Sequence, residues 1–299
     1  MTEWSLTLGH TKTELVLSPP LLAASGAMGY GRESGPLLRS GAYGAWVTPP
    51  ITWDARPGSR PPRLAETTAG YLLRTGRRNP GLPRVSRRQG GFWRRLGLPV
   101  ILALYGRSTQ EIDRMADYVA SRQESGELDA VEAIELHLPH DVEPALAEDM
   151  IEGVVELVGI PCLVRAPFEN TIEIARIAQD LGADGVVVAA PPMARAPADD
   201  GTWLYGPLYG PALSPLYMER VHQVASAVEI AVIARGGIAN LDDMMGALAC
   251  GAVAVQLDSI LYVQPNAGRD ILAALEAEMS RRGAVTWEDV LATCRTATL

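Results

Sequence analysis

The stretch from Ala231 to Ser259, AVIARGGIANLDDMMGALACGAVAVQLDS, constrains the fold more than any other part of the chain. It opens with AVIA, a short apolar run with the pattern of a buried parallel strand, and breaks at Gly236-Gly237. Leu241, Met244, Met245, Leu248 and Ala249 then recur at helical spacing, with Asn240 in the N-cap position. After Gly251 a second apolar run, AVAVQL, returns. This is a βαβ unit, and parallel strands joined in that way take a right-handed crossover. Its glycine pair leaves backbone N–H groups aimed beyond the strand end, an arrangement suited to a phosphate.

The same alternation runs through the rest of the sequence. Trp4 to Leu8 and Glu14 to Leu17 flank a Gly9-His10-Thr11-Lys12 turn and predict a hairpin that plugs a barrel from below. Strands are predicted at Leu21–Ser25, Gly44–Thr52, Val100–Gly106, Ala133–Pro139, Pro161–Pro167 and Gly185–Pro192. Helices are expected over Thr109–Arg122, with Ser108 or Thr109 as cap, and over 145–158, 171–181, 215–228, 270–282 and 287–294. Together with the two strands of the opening stretch this predicts one (β/α)8 TIM barrel occupying residues 1–299 as a single domain, with its site at the C-terminal strand ends. Residues 53 to 98, rich in Arg, Pro and Gly and without sustained periodicity, read as a long loop after the second strand, of the kind that serves as a lid or binding loop. A second loop carries Trp203, Tyr205 and Tyr209.

Charge narrows the chemistry. The net charge is −9, which argues against general nucleic-acid binding. Between Trp53 and Leu98, however, arginines outnumber Asp54 and Glu66, the only acids there, so this segment is a basic block suited to anions. Lys12 is the only lysine, which excludes a barrel-interior lysine as Schiff-base nucleophile. No apolar run approaches the roughly 18 residues of a membrane span, and the start lacks a signal-peptide pattern, so a cytoplasmic location is expected. Cys162, Cys250 and Cys294 are far apart in apolar surroundings and are expected as buried thiols.

Several of these segments carry a resemblance. LLAASGAMGYG resembles the strand-one ASG turn of the class 1 dihydroorotate dehydrogenases, which are FMN-dependent (β/α)8 barrels. RPGSRPPRLAETTAGYLLRTGRRNPG is similar to their long loop with its PRxAET, AG and NPG elements, and VIARGGI followed by CGAVAVQ is similar to their phosphate-binding end. The resemblance spans nearly the whole chain in order. It implies an FMN-dependent oxidoreductase, with the flavin near Ser25, Gly26 and Arg165 and its phosphate at Arg235, Gly236, Gly237 and Ser259. Relatives of this kind are often homodimers or are joined to an iron–sulfur partner; no four-cysteine cluster motif occurs here, which would place any such cluster on an electron-transfer partner chain.

The departures fall where chemistry occurs. Pro49 stands at the strand-two lysine, and Ala103 and Ala190 stand at asparagines. Arg74 is aligned with a substrate-binding asparagine, His137 with the strand-four asparagine, His140 with the catalytic cysteine, Arg165 with the strand-five lysine, and Asp258-Ser259 with a Gly-Thr phosphate contact. On this reading His140 and Arg165 are the catalytic candidates, His140 as proton acceptor, while Arg74, Asn79 and His137 bind a small anionic substrate other than dihydroorotate. Asn79 before Pro80-Gly81 equally suits a turn, and Asp258 would repel a phosphate unless Arg235 stands between them. Two other classes stay open: a flavin-less barrel whose basic block receives an acidic partner protein or a phosphorylated metabolite, and a metal-dependent lyase or hydrolase using His137 and His140, with Glu135, Asp141 and Glu143 nearby.

Overall fold

The computed structural model describes residues 4–9 and 13–296, so the expected turn at His10 to Lys12 lies outside the described residues. Its strands are β1 (Leu6–Leu8), β2 (Leu15–Leu17), β3 (Leu21–Ala23), β4 (Ala45–Val47), β5 (Leu64–Thr67), β6 (Gly70–Leu73), β7 (Val100–Tyr105), β8 (Val131–His137), β9 (Cys162–Arg165), β10 (Gly185–Val188), β11 (Met193–Pro197), β12 (Trp203–Tyr209), β13 (Ala231–Arg235) and β14 (Ala254–Leu257). The helices are α1 (Gly35–Leu38), α2 (Leu82–Leu96), α3 (Thr109–Glu124), α4 (Pro144–Leu157), α5 (Thr171–Asp180), α6 (Ser214–Ala225), α7 (Leu241–Ala249), α8 (Ile260–Val263), α9 (Ala267–Arg282) and α10 (Trp287–Thr296). Eight strands close into a parallel barrel in the order β10-β13-β14-β3-β4-β7-β8-β9.

Alternation along each strand sorts the barrel interior into layers. The apolar part holds Leu22, Ala45, Ile101, Ala133, Leu163, Val187, Ile233 and Ala254, one from every strand, in one buried cluster with Leu8, Leu15 and Leu17 of the β1–β2 hairpin. Four of the inward positions, Ala45, Ala103, Ala133 and Ala254, are alanines, and the hairpin leucines fill the space that their short side chains leave. The hairpin therefore plugs the bottom, as its position in the sequence predicts. Two residues further along β8 and β14 the interior turns polar, with Glu135 and Gln256 both fully buried.

The basic segment after β4 is more ordered than its composition suggests. Residues 64–73 form the β5–β6 hairpin, and Leu82–Leu96 forms α2, a full outer helix of the barrel. Its buried face, Leu82, Val85, Ser86, Trp93 and Leu96, has helical spacing. Gly90 and Gly91 hid that spacing in the sequence. Gly90 is there for packing, since a Cβ would lie 2.5 Å from the Glu127 carbonyl oxygen. The second excursion, after β10, also folds as strands: β11 and β12 join β6 and β5 in an antiparallel sheet of order β11-β12-β6-β5. Tyr209 pairs with Tyr71 and Leu208 with Leu72, so the two excursions are stitched together.

Among the helix caps, Ser108 Oγ accepts from Glu111 N at 3.3 Å and Asn240 Oδ1 from Asp243 N at 3.0 Å, as expected. None of the three cysteines is in a disulfide among the described residues, and Cys162 and Cys294 are buried, as expected.

Candidate active site

Above the hydrophobic interior, the ends of β8 and β9 on one side of β10 and of β13 and β14 on the other bring charged side chains together. Register pairs Tyr105 with His137 and His137 with Arg165 across β7, β8 and β9, and pairs Arg235 with Gln256 across β13 and β14. Glu135 sits at the centre. Its Oε1 is 2.6 Å from His137 Nε2, and its Oε2 accepts from Gln256 Nε2 at 2.7 Å. Arg165 Nη1 is 2.9 Å from His137 Nδ1. A guanidinium can only donate, so Nδ1 accepts and the ring proton lies on Nε2, directed at Glu135.

The charges follow from that geometry. Burial pushes the His137 pKa down to about 3 and the positive charge of Arg165 pushes the same way, so the imidazole is neutral despite its carboxylate neighbour. Burial alone would raise Glu135, but the hydrogen bond and charge of His137 and the guanidiniums of Arg165 and Arg235 outweigh it, bringing the carboxyl down to about 2. Arg165 falls to about 10 through burial and repulsion from Arg235, and stays charged at neutral pH. Both ring nitrogens of His137 are thus engaged, which makes it a support for Arg165 in this structure and leaves it without a free nitrogen to offer a substrate.

Arg235 is 2% exposed and its Nη2 lies 2.9 Å from Asp258 Oδ2. That pair raises the Arg235 pKa against the effect of burial, and it neutralises the carboxylate that the sequence places beside a phosphate site. Arg235 Nε and Nη1, Arg165 Nε and Gln256 Oε1 are buried without a hydrogen-bond partner. Three of these are donors and Gln256 Oε1 is an acceptor; unpartnered polar atoms of this kind are uncommon in an interior and suit a ligand that supplies acceptors to the guanidiniums and a donor to the amide oxygen.

The glycine pair sits beside them. A Cβ at Gly236 would collide with the Tyr217 ring, and one at Gly237 would lie 2.5 Å from Ser214 N and Cα, so both residues are required by packing. Gly237, Ile238, Ala239, Ser259 and Ile260 line one side of a cavity of about 310 Å³, and Thr68, Ala69, Gly70 and Tyr71 line the other. The mouth sheet thus forms a wall of this cavity, where Tyr71 stacks on Tyr209 with centroids 5.6 Å apart. Ser25 donates to the Thr48 carbonyl at 2.8 Å, and Gly26, at φ 88°, approaches the Tyr262 hydroxyl.

Other residues singled out in the sequence lie apart from the cluster. His140 is half-exposed on the loop after β8, its Nδ1 3.6 Å from Asp141 Oδ1. Arg74 continues β6, bonding Arg63 O through its backbone and Pro62 O through Nη2 at 3.4 Å. Asn79 is buried and takes the turn role: Oδ1 accepts from Gly81 N, and Nδ2 donates to Thr52 Oγ1 and Arg77 O, all at 2.9 Å. Among the described residues no group of three or more His, Cys, Asp and Glu is placed to hold a metal ion, so the metal-dependent reading has no ligand set. Sequence reading did not single out Gln256, although the alternation of AVAVQL already points it inward with Ala254.

Comparison with known proteins finds relatives in both sequence and fold. The dihydroorotate dehydrogenase family profile matches residues 8–279. The catalytic subunits of dihydroorotate dehydrogenase B (NAD(+)) from Bacillus mycoides (strain KBAB4) and Bacillus anthracis (strain A0248) are each 29% identical over 294 residues, covering 90% of this chain and 91% of the relative. The crystal structure of DHODH from Eimeria tenella in complex with ferulenol superposes with a TM-score of 0.76 at 16% identity, covering 96% of this chain and 87% of that one, a likeness of fold.

Proposed function

The chain belongs to the dihydroorotate dehydrogenase family, and from that premise we propose that it is an FMN-dependent oxidoreductase of this type acting on a small anionic substrate in the cytoplasm. No helix among the described residues is long and apolar enough to cross a membrane. The observation that carries the proposal is the set of orphaned donors on Arg165 and Arg235 at one barrel mouth. They suit a flavin, which presents carbonyl oxygens, ring nitrogens and a phosphate. The neutralised Asp258 and the cavity beside Gly237 and Ser259 fit the same group.

When bound, FMN supplies the hydride acceptor. Arg165 would hold negative charge at the ring's pyrimidine edge, locked in place by His137 and Glu135, and Ser25 and Gly26 would flank the ring. Arg235, Gly236, Gly237 and Ser259 would hold the phosphate. His140 would accept the substrate proton at Nε2, since Asp141 beside Nδ1 favours a proton on that nitrogen. Pro49, Ala103 and Ala190 offer no side-chain hydrogen bond where the resemblance places lysine and asparagines, which supports a substrate other than dihydroorotate. The relatives' designation as catalytic subunits supports a second kind of subunit, for which an electron-transfer role is the proposal, and the homodimer rests on the resemblance alone.

An absorbance spectrum of the purified protein, followed by FMN titration of wild type and Arg165→Ala, tests the proposal. A yellow protein whose flavin affinity falls about tenfold or more in the variant supports it. A colourless protein that takes up no FMN removes it.

A further inference from the structure

The rim beside the third and fourth barrel strands carries more positive charge than its own carboxylates neutralise. Tyr105, at the top of β7, is 1% exposed. The Arg77 guanidinium carbon lies 3.8 Å from its ring centroid and that of Arg56 5.9 Å away. Arg107, two residues beyond Tyr105, pairs with Asp141 at 3.2 Å. Asp141 is the only carboxylate paired with any of these three arginines among the described residues. Burial lowers the Arg77 pKa, and the charges of Arg56 and Arg107 add to that effect.

The arrangement is held by the backbone. Arg56 and Asn79 form an antiparallel bridge, with N–O distances of 2.8 and 3.2 Å, and Asn79 Nδ2 grips the Arg77 carbonyl at 2.9 Å. Arg77 itself has φ 53°, in the left-handed region that favours glycine, and it is the only such non-glycine residue among those described. Its side chain lies over the Tyr105 ring. Tyr105 pairs with His137 and His137 with Arg165, so only β8 separates the rim from Arg165. A cation–π contact offsets only part of the cost of desolvating a guanidinium. Asp141 and Glu111 both lie against Arg107, which leaves Arg77 and Arg56 as two guanidiniums with no carboxylate paired to either among the described residues, where a substrate with a single carboxylate would balance one.

We infer that this rim binds a doubly charged oxyanion of the substrate, a phosphate or a pair of carboxylates, with Arg77 and Arg56 gripping it beside Tyr105 and Arg107 closing its outer side. The inference rests on the mouth being the substrate site of the proposed oxidoreductase. It replaces recognition by neutral hydrogen bonds, lost at Ala103 and Ala190, with recognition by charge.

Calorimetric titration of the FMN-supplemented protein with inorganic phosphate, succinate and acetate at fixed ionic strength tests it. Phosphate or succinate should bind at least about tenfold more tightly than acetate, and Arg77→Gln and Arg56→Gln should each weaken the tighter anion about tenfold. Arg87→Gln, on the exposed face of α2, should leave it unchanged. Should Arg77→Gln fail to fold by circular dichroism, Arg56→Gln and Arg107→Gln, both at exposed positions, carry the comparison. Tight phosphate with weak succinate assigns a phosphate, and the reverse assigns a dicarboxylate. Equal binding of all three anions, or equal weakening by Arg87→Gln, overturns the inference in favour of diffuse attraction. Absorbance separates the two readings: selective anion binding by a colourless protein that refuses FMN removes the flavin and keeps the rim, whereas a yellow protein without selectivity removes the rim alone.

Discussion

At the scale of single residues, the centre of the mouth is a neutral imidazole held between a carboxylate and a guanidinium. The inward direction of Glu135 and His137 follows from their alternation with Ile134 and Leu136 and was readable in the sequence. Their mutual bond, and the grip of His137 on Arg165, required β9 to lie beside β8 and were not. The arrangement has a pH signature. His137 has its folded pKa depressed from 6.5 to about 3, so as pH falls below 6.5 the unfolded chain takes up a proton that the folded one refuses, and stability is lost. Glu135, depressed from 4.5 to about 2, contributes stability that is present above 4.5 and lost as pH falls toward 2. Urea unfolding at several pH values should show a loss on the order of 3 kcal/mol between pH 7 and pH 4 from this pair. Above pH 4.5 only the imidazole of the pair titrates in the unfolded chain. His137→Asn should therefore flatten that part of the curve, and a slope equal to wild type would show that the ring is protonated in the fold.

At the scale of elements, the barrel strands and most helices were legible because their apolar spacing is undiluted, as in Leu241 to Ala249 and Thr109 to Glu124. The helix α2 was not, because Gly90-Gly91 interrupts a pattern whose polar positions are mostly arginine. The β5 and β12 strands were missed for a different reason: each is stabilised by a partner more than a hundred residues away or by a short hairpin, and neither has a continuous apolar face. The two glycines of α2 differ in their surroundings. Intrinsic propensity favours alanine over glycine in a helix interior by about 0.5–1 kcal/mol. At Gly91 the nearest atom to a new Cβ is Arg95 Nη1 at 3.8 Å, so Gly91→Ala should gain roughly that amount. At Gly90 the Glu127 carbonyl oxygen would lie 2.5 Å away, and the backbone cannot yield cheaply. Gly90→Ala should cost roughly 1–3 kcal/mol instead. Thermal melts of the two variants decide it, and a gain at both positions would mean that α2 sits farther from the β8 side than the structure places it.

At the scale of the whole molecule, the barrel and its mouth sheet rest on unequal cores. The bottom is closed by Leu8, Leu15 and Leu17 against a ring of barrel side chains, all buried. The sheet that walls the cavity near Gly237 has a core of Ala65, Leu72, Ala196, Ala198 and Leu204, three of them alanines. Hydrophobic stabilisation scales with apolar area removed from water, so the sheet has far less holding it down than the barrel has. It should open on its own. Hydrogen exchange is expected to be faster in β5, β6, β11 and β12 than in the eight barrel strands, and Leu204→Ala should accelerate exchange in all four together while leaving the barrel's protection intact. Leu15→Ala, in contrast, should lower global stability by roughly 2–5 kcal/mol, because the cavity it leaves is enclosed on every side. The asymmetry matters for the chemistry: Tyr71 and Tyr209 belong to the loosely held sheet, whereas Glu135, Arg165 and Arg235 stand on the barrel. A cofactor or substrate would enter by displacing the sheet while the charged residues that receive it stay fixed. If exchange in the mouth sheet were as slow as in the barrel, entry would have to come by another route.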